Sequence, residues 1–307
     1  MKITYGLREN SIDVTDICYR KLKMQNIIKI PNGEGRRASY FTDPLFGILK
    51  AVFITSVDGT VVEYDYTKDI YIDISTNQIF TNENVPEYIL LICPNIQERL
   101  ANIHRNLKLD YGSFNDEYPE QLMVARYLNG NEKVLELGAN IGRNTLVISY
   151  ILAQQQNYDF VTLECDTGIA KQLAHNKELN GLNFHIETSA LSKRKLIQQG
   201  WNTIVSDTIL PGYTEVQLIS FSDLTQKYNI AFDTLVLDCE GAFYYILMDM
   251  PEILDNVNLI IMENDYTNIS HKHYIDEVMK KKGFYVDYTE AGGWGCCYGN
   301  FFEVWKR

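Results

Sequence analysis

A glycine turn near the middle of the chain constrains its fold more than any other stretch. Residues 133–142 read Lys-Val-Leu-Glu-Leu-Gly-Ala-Asn-Ile-Gly, so a short apolar run is followed by Gly138 and Gly142. From Asn144 onward, apolar residues recur at helical spacing. Gly138 allows a tight turn with positive φ, and the first amides of the helix are free to bind an anion. This pattern predicts the first βα unit of a nucleotide-binding α/β fold.

The spacing of the turn limits the ligand that it can hold. A dinucleotide site has Gly-x-Gly-x-x-Gly and a phosphate-binding loop has Gly-Lys-Ser/Thr, and neither pattern fits this turn. Glu136, just before the first glycine, instead suits a cationic ligand. S-adenosylmethionine is such a ligand, because it carries an ammonium and a sulfonium but no phosphate. The alternative is a strand, turn and helix with a purely structural role.

Acidic residues follow several predicted strands, at the edge where ligands bind in open α/β sheets. Glu164 ends the second predicted strand, where a carboxylate can accept both hydroxyls of a ribose. Asp238 and Glu240 follow the fourth strand, and Glu263 ends the fifth. Two close carboxylates would raise one pKa or bind a divalent metal. The alternative for Asp238 is a capping role at the next helix.

In this order, the motifs resemble the FkbM-type family of class I methyltransferases. The family signature is an acidic residue followed by x-Gly-Ala-Asn-x-Gly, which residues 136–142 match with Glu136 in the place of the usual Asp. A second hallmark, Asp-x-Glu-Gly, is matched by residues 238–241. The resemblance covers residues 110–307, and it departs from the family at Val236, where a lysine is common.

The resemblance implies a Rossmann-like, seven-stranded class I methyltransferase domain that uses S-adenosylmethionine to methylate a sugar or glycan hydroxyl. The motifs and the resemblance together assign the cofactor to Glu136, Gly138, Asn140, Gly142, Glu164, Ser189, Ala190 and Asp238. Ser189 and Ala190 belong to this set by resemblance alone. The resemblance places them beside the adenine.

For catalysis, Asp238 is predicted to be the base or a metal ligand, with Glu240 and Glu263 orienting it. Nothing in the sequence requires a divalent metal. His271 and His273 are further candidates for the base, with an ordinary surface position as the alternative. The chain could also methylate another small-molecule hydroxyl, or bind cofactor or glycan without turnover.

Residues 1–95 lie outside the resemblance and read as mostly β. Alternating strand patterns, as at 70–74, and turn signals, as at 58–59, predict a small sandwich or barrel. We therefore predict an α/β chain with a β-rich domain at 1–95 and a methyltransferase domain at 96–307. The first domain could bind glycan or form a homo-oligomer. A polar cluster at 36–43, formed by Arg36, Arg37, Tyr40 and Asp43, could touch a ligand, and the favoured alternative is a solvated loop.

The charge of the chain and the lengths of its apolar runs limit the classes of partner that we expect. The formal charge is −12, and by count residues 1–100 hold 11 basic and 13 acidic side chains against 17 and 27 in the remainder. The acidic remainder argues against a nucleic-acid substrate. No signal-like start and no apolar run of membrane length occur, so we predict a cytoplasmic protein without a membrane span. The polar stretch 193–215 predicts a loop insertion or a strand pair.

Overall fold

The computed structural model describes residues 1–56, 58–93, 96–200 and 202–307, without the side chains of Ser39 and Leu91. The chain divides into two compact units, Met1–Asn95 and Ile96–Arg307. The predicted boundary adjoins Pro94 and Asn95, and Trp201 falls in the polar stretch 193–215; these three residues lie outside the described residues. No helix in the described part of the chain has the length and apolarity that a membrane span requires.

Two four-stranded antiparallel sheets make up the first unit, in the orders β2-β1-β5-β6 and β3-β4-β7-β8. Both sheets contribute isoleucines and valines to one buried core. The strands are Lys2–Leu7 (β1), Asn10–Asp13 (β2), Lys23–Met24 (β3), Ile27–Ile30 (β4), Ala51–Thr55 (β5), Val61–Tyr64 (β6), Ile70–Asp73 (β7) and Gln78–Thr81 (β8). The helices are Thr15–Lys21 (α1), Glu34–Phe41 (α2) and Glu87–Ile92 (α3).

The polar cluster at 36–43 is largely helical, so the prediction of a solvated loop is wrong. Arg37 in α2 is fully buried. Its guanidinium donates to the carbonyl oxygens of Pro31 at 2.9 Å and Lys68 at 2.7 Å. Backbone carbonyls therefore compensate the burial of this charge, which ties α2 to the segments that flank it. The hairpin turn predicted at 58–59 is confirmed, because β5 and β6 pair antiparallel around it.

The second unit is built on a seven-stranded sheet with helices along it. Its strands are Val134–Leu137 (β9), Phe160–Leu163 (β10), His185–Glu187 (β11), Ala190–Leu191 (β12), Leu196–Gln199 (β13), Asn202–Val205 (β14), Thr214–Glu215 (β15), Leu218–Ile219 (β16), Thr234–Leu237 (β17), Leu259–Glu263 (β18), Tyr285–Glu290 (β19) and Phe302–Lys306 (β20). Its helices are Ile96–Arg105 (α4), Tyr118–Tyr127 (α5), Arg143–Ala153 (α6), Thr167–Leu179 (α7), Phe221–Tyr228 (α8), Phe243–Asp249 (α9) and Ile269–Lys281 (α10).

The strand order of the large sheet is β11-β10-β9-β17-β18-β20-β19. Strands β9, β10, β11, β17 and β18 run parallel, and β20 is antiparallel to both of its neighbours. This confirms the predicted α/β class and Rossmann-like sheet. Alternate residues feed two separate cores, with Leu135 and Leu235 in one and Val134 and Val236 in the other. Such two-sided burial explains why these strands read as continuous apolar runs.

The carboxyl ends of the parallel strands share one edge of this sheet, and the predicted site residues follow those ends. The polar stretch 193–215 contributes a small separate sheet, in the order β14-β13-β15. This inserted sheet precedes α8. It has three strands, where the sequence left a loop insertion or a strand pair open.

Candidate active site

The glycine turn between β9 and α6 requires both of its glycines. Gly138 and Gly142 have φ values of 90° and 98°. A Cβ on Gly138 would lie 1.5 Å from the carbonyl oxygen of Asp238, and one on Gly142 would lie 2.5 Å from Leu173 Cδ1. A side chain at Gly138 would thus collide with the backbone that follows β17. The absence of that side chain allows the ends of β9 and β17 to approach closely.

Glu136 lies inside the sheet region and is 2% exposed. Its Oε2 accepts hydrogen bonds from the hydroxyls of Thr145 and Thr162, both at 2.6 Å. Burial raises the pKa of Glu136 to about 7, although the two hydroxyls oppose the rise. The side chain therefore joins β9, β10 and α6, in addition to any contact with cofactor, which stays a prediction.

Glu164 lies directly against the glycine turn, at the end of β10. Its Oε2 accepts from the backbone N–H of Asn140 at 3.0 Å, and its Oε1 accepts from that of Asp166 at 2.8 Å. Burial raises the pKa of Glu164, and the backbone donors oppose this. The side chain of Asn140 donates to Glu117 Oε1 at 3.1 Å. The structure thus brings Glu164 and Asn140 together, as a shared ligand site would need.

Three carboxyl groups, those of Glu120, Asp238 and Glu263, form a hydrogen-bonded carboxyl cluster at the ends of β17 and β18. Glu263 is hydrogen-bonded both to Asp238 and to Glu120. Burial, followed by these carboxyl neighbours, holds the pKa of Glu263 far above its usual range, and burial also raises the pKa of Asp238. Close carboxyl groups cannot all be ionised without repulsion, so this cluster favours keeping a proton.

Glu120 was not among the residues that the sequence analysis assigned to the site. It is 7% exposed, on the buried side of α5 together with Met123 and Val124. Its Oε2 is buried and has no hydrogen-bond partner among the described residues. The sequence did contain a signal for Glu120. It lies three positions before Met123 and four before Val124, and residues at these spacings share one face of a helix.

Asp265 is a second acidic residue that the sequence analysis did not assign. Its Oδ1 accepts from the backbone N–H of Gly241 at 2.8 Å, and its buried Oδ2 has no partner within the described residues. Burial raises the pKa of Asp265 to about 7, and the nearby charge of Glu240 adds to the rise. Glu240 itself is exposed and has a left-handed φ of 50°. Its predicted orienting role beside Asp238 stays a prediction.

The alternative role of Asp238 as a helix cap is wrong. Helix α9 begins at Phe243, its N-cap position is Ala242, and no side chain caps it. The turn after Asp238 therefore leaves the carboxyl group free to bond Glu263. Among the described residues, no group of three or more His, Cys, Asp or Glu side chains is arranged to hold a metal ion.

Ser189 and Ala190 lie in a different hydrogen-bonded group. Ser189 is 4% exposed, and its hydroxyl donates to Glu187 Oε1 at 3.1 Å. Glu187 also accepts from Lys227 Nζ at 2.6 Å and Tyr228 OH at 2.9 Å. Ala190 begins β12, which pairs with β16. The contact of Ser189 and Ala190 with adenine stays a prediction.

His271 is packed against aromatic rings at the start of α10. Its ring stacks on Tyr244 with centroids 3.8 Å apart and an interplanar angle of 3°, and Tyr245 meets it edge-on at 5.7 Å. His273 is exposed. The stacked position gives His271 a packing role between α9 and α10.

Comparison with known proteins yields structural similarity only. No family model matches the chain, and no curated protein does. The ribosomal protein L11 methylase of Lactobacillus delbrueckii subsp. bulgaricus matches at 13% identity and a TM-score of 0.38, over 64% of this chain and 79% of that one. The O-methyltransferase of Bacillus cereus in complex with SAH matches at 16% identity and a TM-score of 0.39, over 72% of this chain and 96% of that one.

Proposed function

We propose that the chain is an S-adenosylmethionine-dependent O-methyltransferase of the FkbM type that acts on a sugar or glycan hydroxyl. The observation that carries this proposal is the pairing of Leu237 with Met262, which places the next residues, Asp238 and Glu263, side by side at adjacent strand ends, beside the turn at Gly138. Ligands of open α/β sheets bind at this edge. The glycan acceptor and the FkbM assignment rest on the sequence motifs at 136–142 and 238–241.

The acidity of the edge fits a cationic cofactor. Glu120 Oε2 and Asp265 Oδ2 are buried acceptors without partners among the described residues, and Glu136 and Glu164 lie at neighbouring strand ends. Buried carboxylates of like charge repel one another, so a sulfonium or ammonium among them is favoured. When bound, S-adenosylmethionine would supply an electrophilic methyl group. The eight residues assigned to the cofactor from the sequence are the ones that would hold it.

The chain would then contribute orientation and proton removal. A sugar hydroxyl is a weak nucleophile, and its proton must leave as the oxygen–methyl bond forms and the sulfur–methyl bond breaks. Asp238 is the proposed acceptor of that proton, while Glu263 is proposed to orient the Asp238 carboxyl group. Orientation can supply up to about 7–11 kcal/mol of the barrier, and a positioned base adds roughly 10²–10⁴-fold.

Calorimetry with S-adenosylmethionine, followed by an assay of methyl transfer to a panel of free sugars and glycans, tests the proposal. Asp238→Asn should bind the cofactor more weakly, because Asp238 is also assigned to the cofactor, and at saturating cofactor it should lose roughly 10²–10⁴-fold in turnover. Asp159→Asn is the matched control, because Asp159 is half exposed and adjoins the opposite end of β10. It should keep full turnover.

Two results would contradict the proposal. Absence of cofactor binding by the intact chain would remove the methyltransferase function altogether. Binding of the cofactor with transfer only to other small-molecule hydroxyls would keep the methyltransferase and reject the sugar acceptor.

A further inference from the structure

Strand β6 is an edge of the sheet β2-β1-β5-β6 in the first unit. Edge strands in soluble proteins are commonly protected by charges, proline or bulges, because their free backbone groups can pair with another strand. Strand β6 instead exposes Val61 by 46% and Val62 by 39%, and its one charged residue is Glu63. This edge is therefore suited to pairing.

The register of the β5–β6 hairpin determines which backbone groups of β6 are free. Hydrogen-bonded and non-hydrogen-bonded positions alternate along an antiparallel pair. Ser56 N–H donates to the carbonyl of Thr60 at 2.9 Å, which sets the phase, and Val62 lies two residues farther along. The backbone groups of Val62 therefore point to β5. Those of Val61 and Glu63 point away from the sheet.

The surface beside β6 carries exposed apolar side chains among the charged ones of Arg8, Glu63 and Asp65, and its loop is held in place. Leu7, Leu49 and Tyr66 are exposed by 40%, 60% and 39%, and they line an open cleft of about 240 Å³. The buried ammonium of Lys50 donates to two carbonyl oxygens of the loop that carries Leu49, at 3.0 and 2.7 Å. A surface that is already ordered loses less conformational entropy when a partner binds.

We propose that β6 pairs antiparallel with β6 of a second copy of the chain, about a two-fold axis at Val62. The two copies of the sheet then form one continuous sheet. Val62 faces Val62 of the other copy in a non-hydrogen-bonded pair, and Val61 faces Glu63 of the other copy in hydrogen-bonded pairs. This contact is independent of the proposed enzymatic function.

A second copy fits because the strand is complementary to itself in this register. Each Val61–Glu63 pair exchanges both of its backbone hydrogen bonds. No glutamate lies opposite another glutamate, which would be unfavourable. By count, residues 1–95 hold 10 basic and 12 acidic side chains, so this unit repels its own copy only weakly. The two-fold contact also closes, since it uses the same edge of both copies.

Disulfide trapping in the full chain tests the register. Directly opposed residues have Cβ atoms about 4.5–5.5 Å apart, whereas diagonal ones are about 7–8 Å apart. Under mild oxidation with oxidised glutathione, Val62→Cys should form a covalent dimer above the wild-type background of native cysteines. Val61→Cys and Glu63→Cys should each fail to form a covalent dimer alone, because Cα atoms more than about 7 Å apart cannot be bridged. A mixture of the two variants should cross-link, because these two positions face each other. Equal cross-linking of all three single variants would overturn the register.

Light scattering over a concentration series tests the association itself. The wild-type chain should reach twice its monomer mass, and Val62→Lys should remain a monomer because two lysines would face each other at the axis. Val205→Lys changes a valine in the other unit that is exposed by 51%, more than Val62 at 39%, and it should still dimerise. Circular dichroism confirms that each variant is folded. A wild-type chain that stays monomeric at every concentration would overturn the proposal.

Discussion

At the scale of single residues, the stability of the site depends on two positions, one where an added side chain would clash and one where a buried carboxyl group can gain or lose a proton. Gly138 is such a position, because the space for its side chain is occupied by the backbone after β17. Glu136 is another, because its carboxyl is buried and takes two hydroxyl donors. Neighbours from other segments set how much a change at either residue lowers the free energy of unfolding. This loss can be measured for each residue.

We expect Gly138→Ala to destabilise the second unit strongly. The new Cβ would lie 1.5 Å from a carbonyl oxygen, and the backbone would have to move. Gly181→Ala is the matched control, since Gly181 also has positive φ, at 60°, but has nothing within 4 Å of the added atom. The control should lower the free energy of unfolding by about 1–2 kcal/mol because of its left-handed φ alone. Gly138→Ala should lower it by clearly more. Denaturant unfolding measures both, and equal losses would contradict the close approach.

Glu136 should make the stability of the chain depend on pH between about 4.5 and 7. Its pKa is raised from 4.5 to about 7 in the folded state, so the folded chain keeps a proton that the unfolded chain has lost. The free energy of unfolding should therefore fall as pH rises, by about 1.4 kcal/mol per pH unit from this group.

Glu136→Gln should remove that contribution. Denaturant unfolding from pH 4 to 8 compares it with Glu178→Gln, which changes an exposed glutamate of α7. The slopes of the control and the wild type should coincide, and that of Glu136→Gln should be flatter. Three parallel curves would show that Glu136 has the same pKa in the folded and the unfolded chain.

At the scale of elements, α7 holds the segment before α5 onto the glycine turn. Asn176 is fully buried, and its side chain accepts from Asp110 N–H at 3.1 Å and donates to the Ile141 carbonyl at 2.9 Å. One turn later and nearer the surface, the side chain of Asn180 accepts from the N–H of Lys108 and donates to its carbonyl oxygen. The structure gives Asn176 a buried bridging role.

Asn176→Ala should therefore cost about 1–3 kcal/mol, because it leaves buried backbone groups without partners. Asn180→Ala removes the same side chain from the same helix, but water can replace its bonds, so its cost should be smaller. Unfolding curves give the two values. Hydrogen exchange should show faster exchange at the Asp110 amide in the first variant only, and identical behaviour of the two variants would remove the bridging role.

At the scale of the whole molecule, each unit has apolar cores made from its own residues. Separate cores are what allow domains to fold alone. We expect fragments 1–95 and 96–307 each to unfold cooperatively on heating, as followed by circular dichroism. A fragment that ends at 202 should fail, because it lacks β17 and β18 from the middle of the large sheet. Loss of structure in either intact unit would contradict independent folding.

Local patterns in the sequence were sufficient for the central strands and for the turn that follows β9. Apolar runs bounded by glycine and acidic residues specify buried parallel strands, and positive φ specifies glycine, so the parallel sheet edge and its acidic residues could be predicted. Helix α2 was missed, because a polar stretch with turn signals reads as a loop until a buried arginine is seen to bind the carbonyls around it.

What only the tertiary structure decided is which carboxyl groups meet and how deeply they are buried. Glu120 reaches Glu263 from a helix that lies far away in sequence, and Ser189 is bonded to Glu187. Hydrogen bonding and burial depend on neighbours from several distant segments, and no spacing along one segment encodes them. The sequence by itself determined the sheet and the acidic edge, because both follow from local periodicity and backbone preference; the carboxyl cluster exists only after the chain has folded around it.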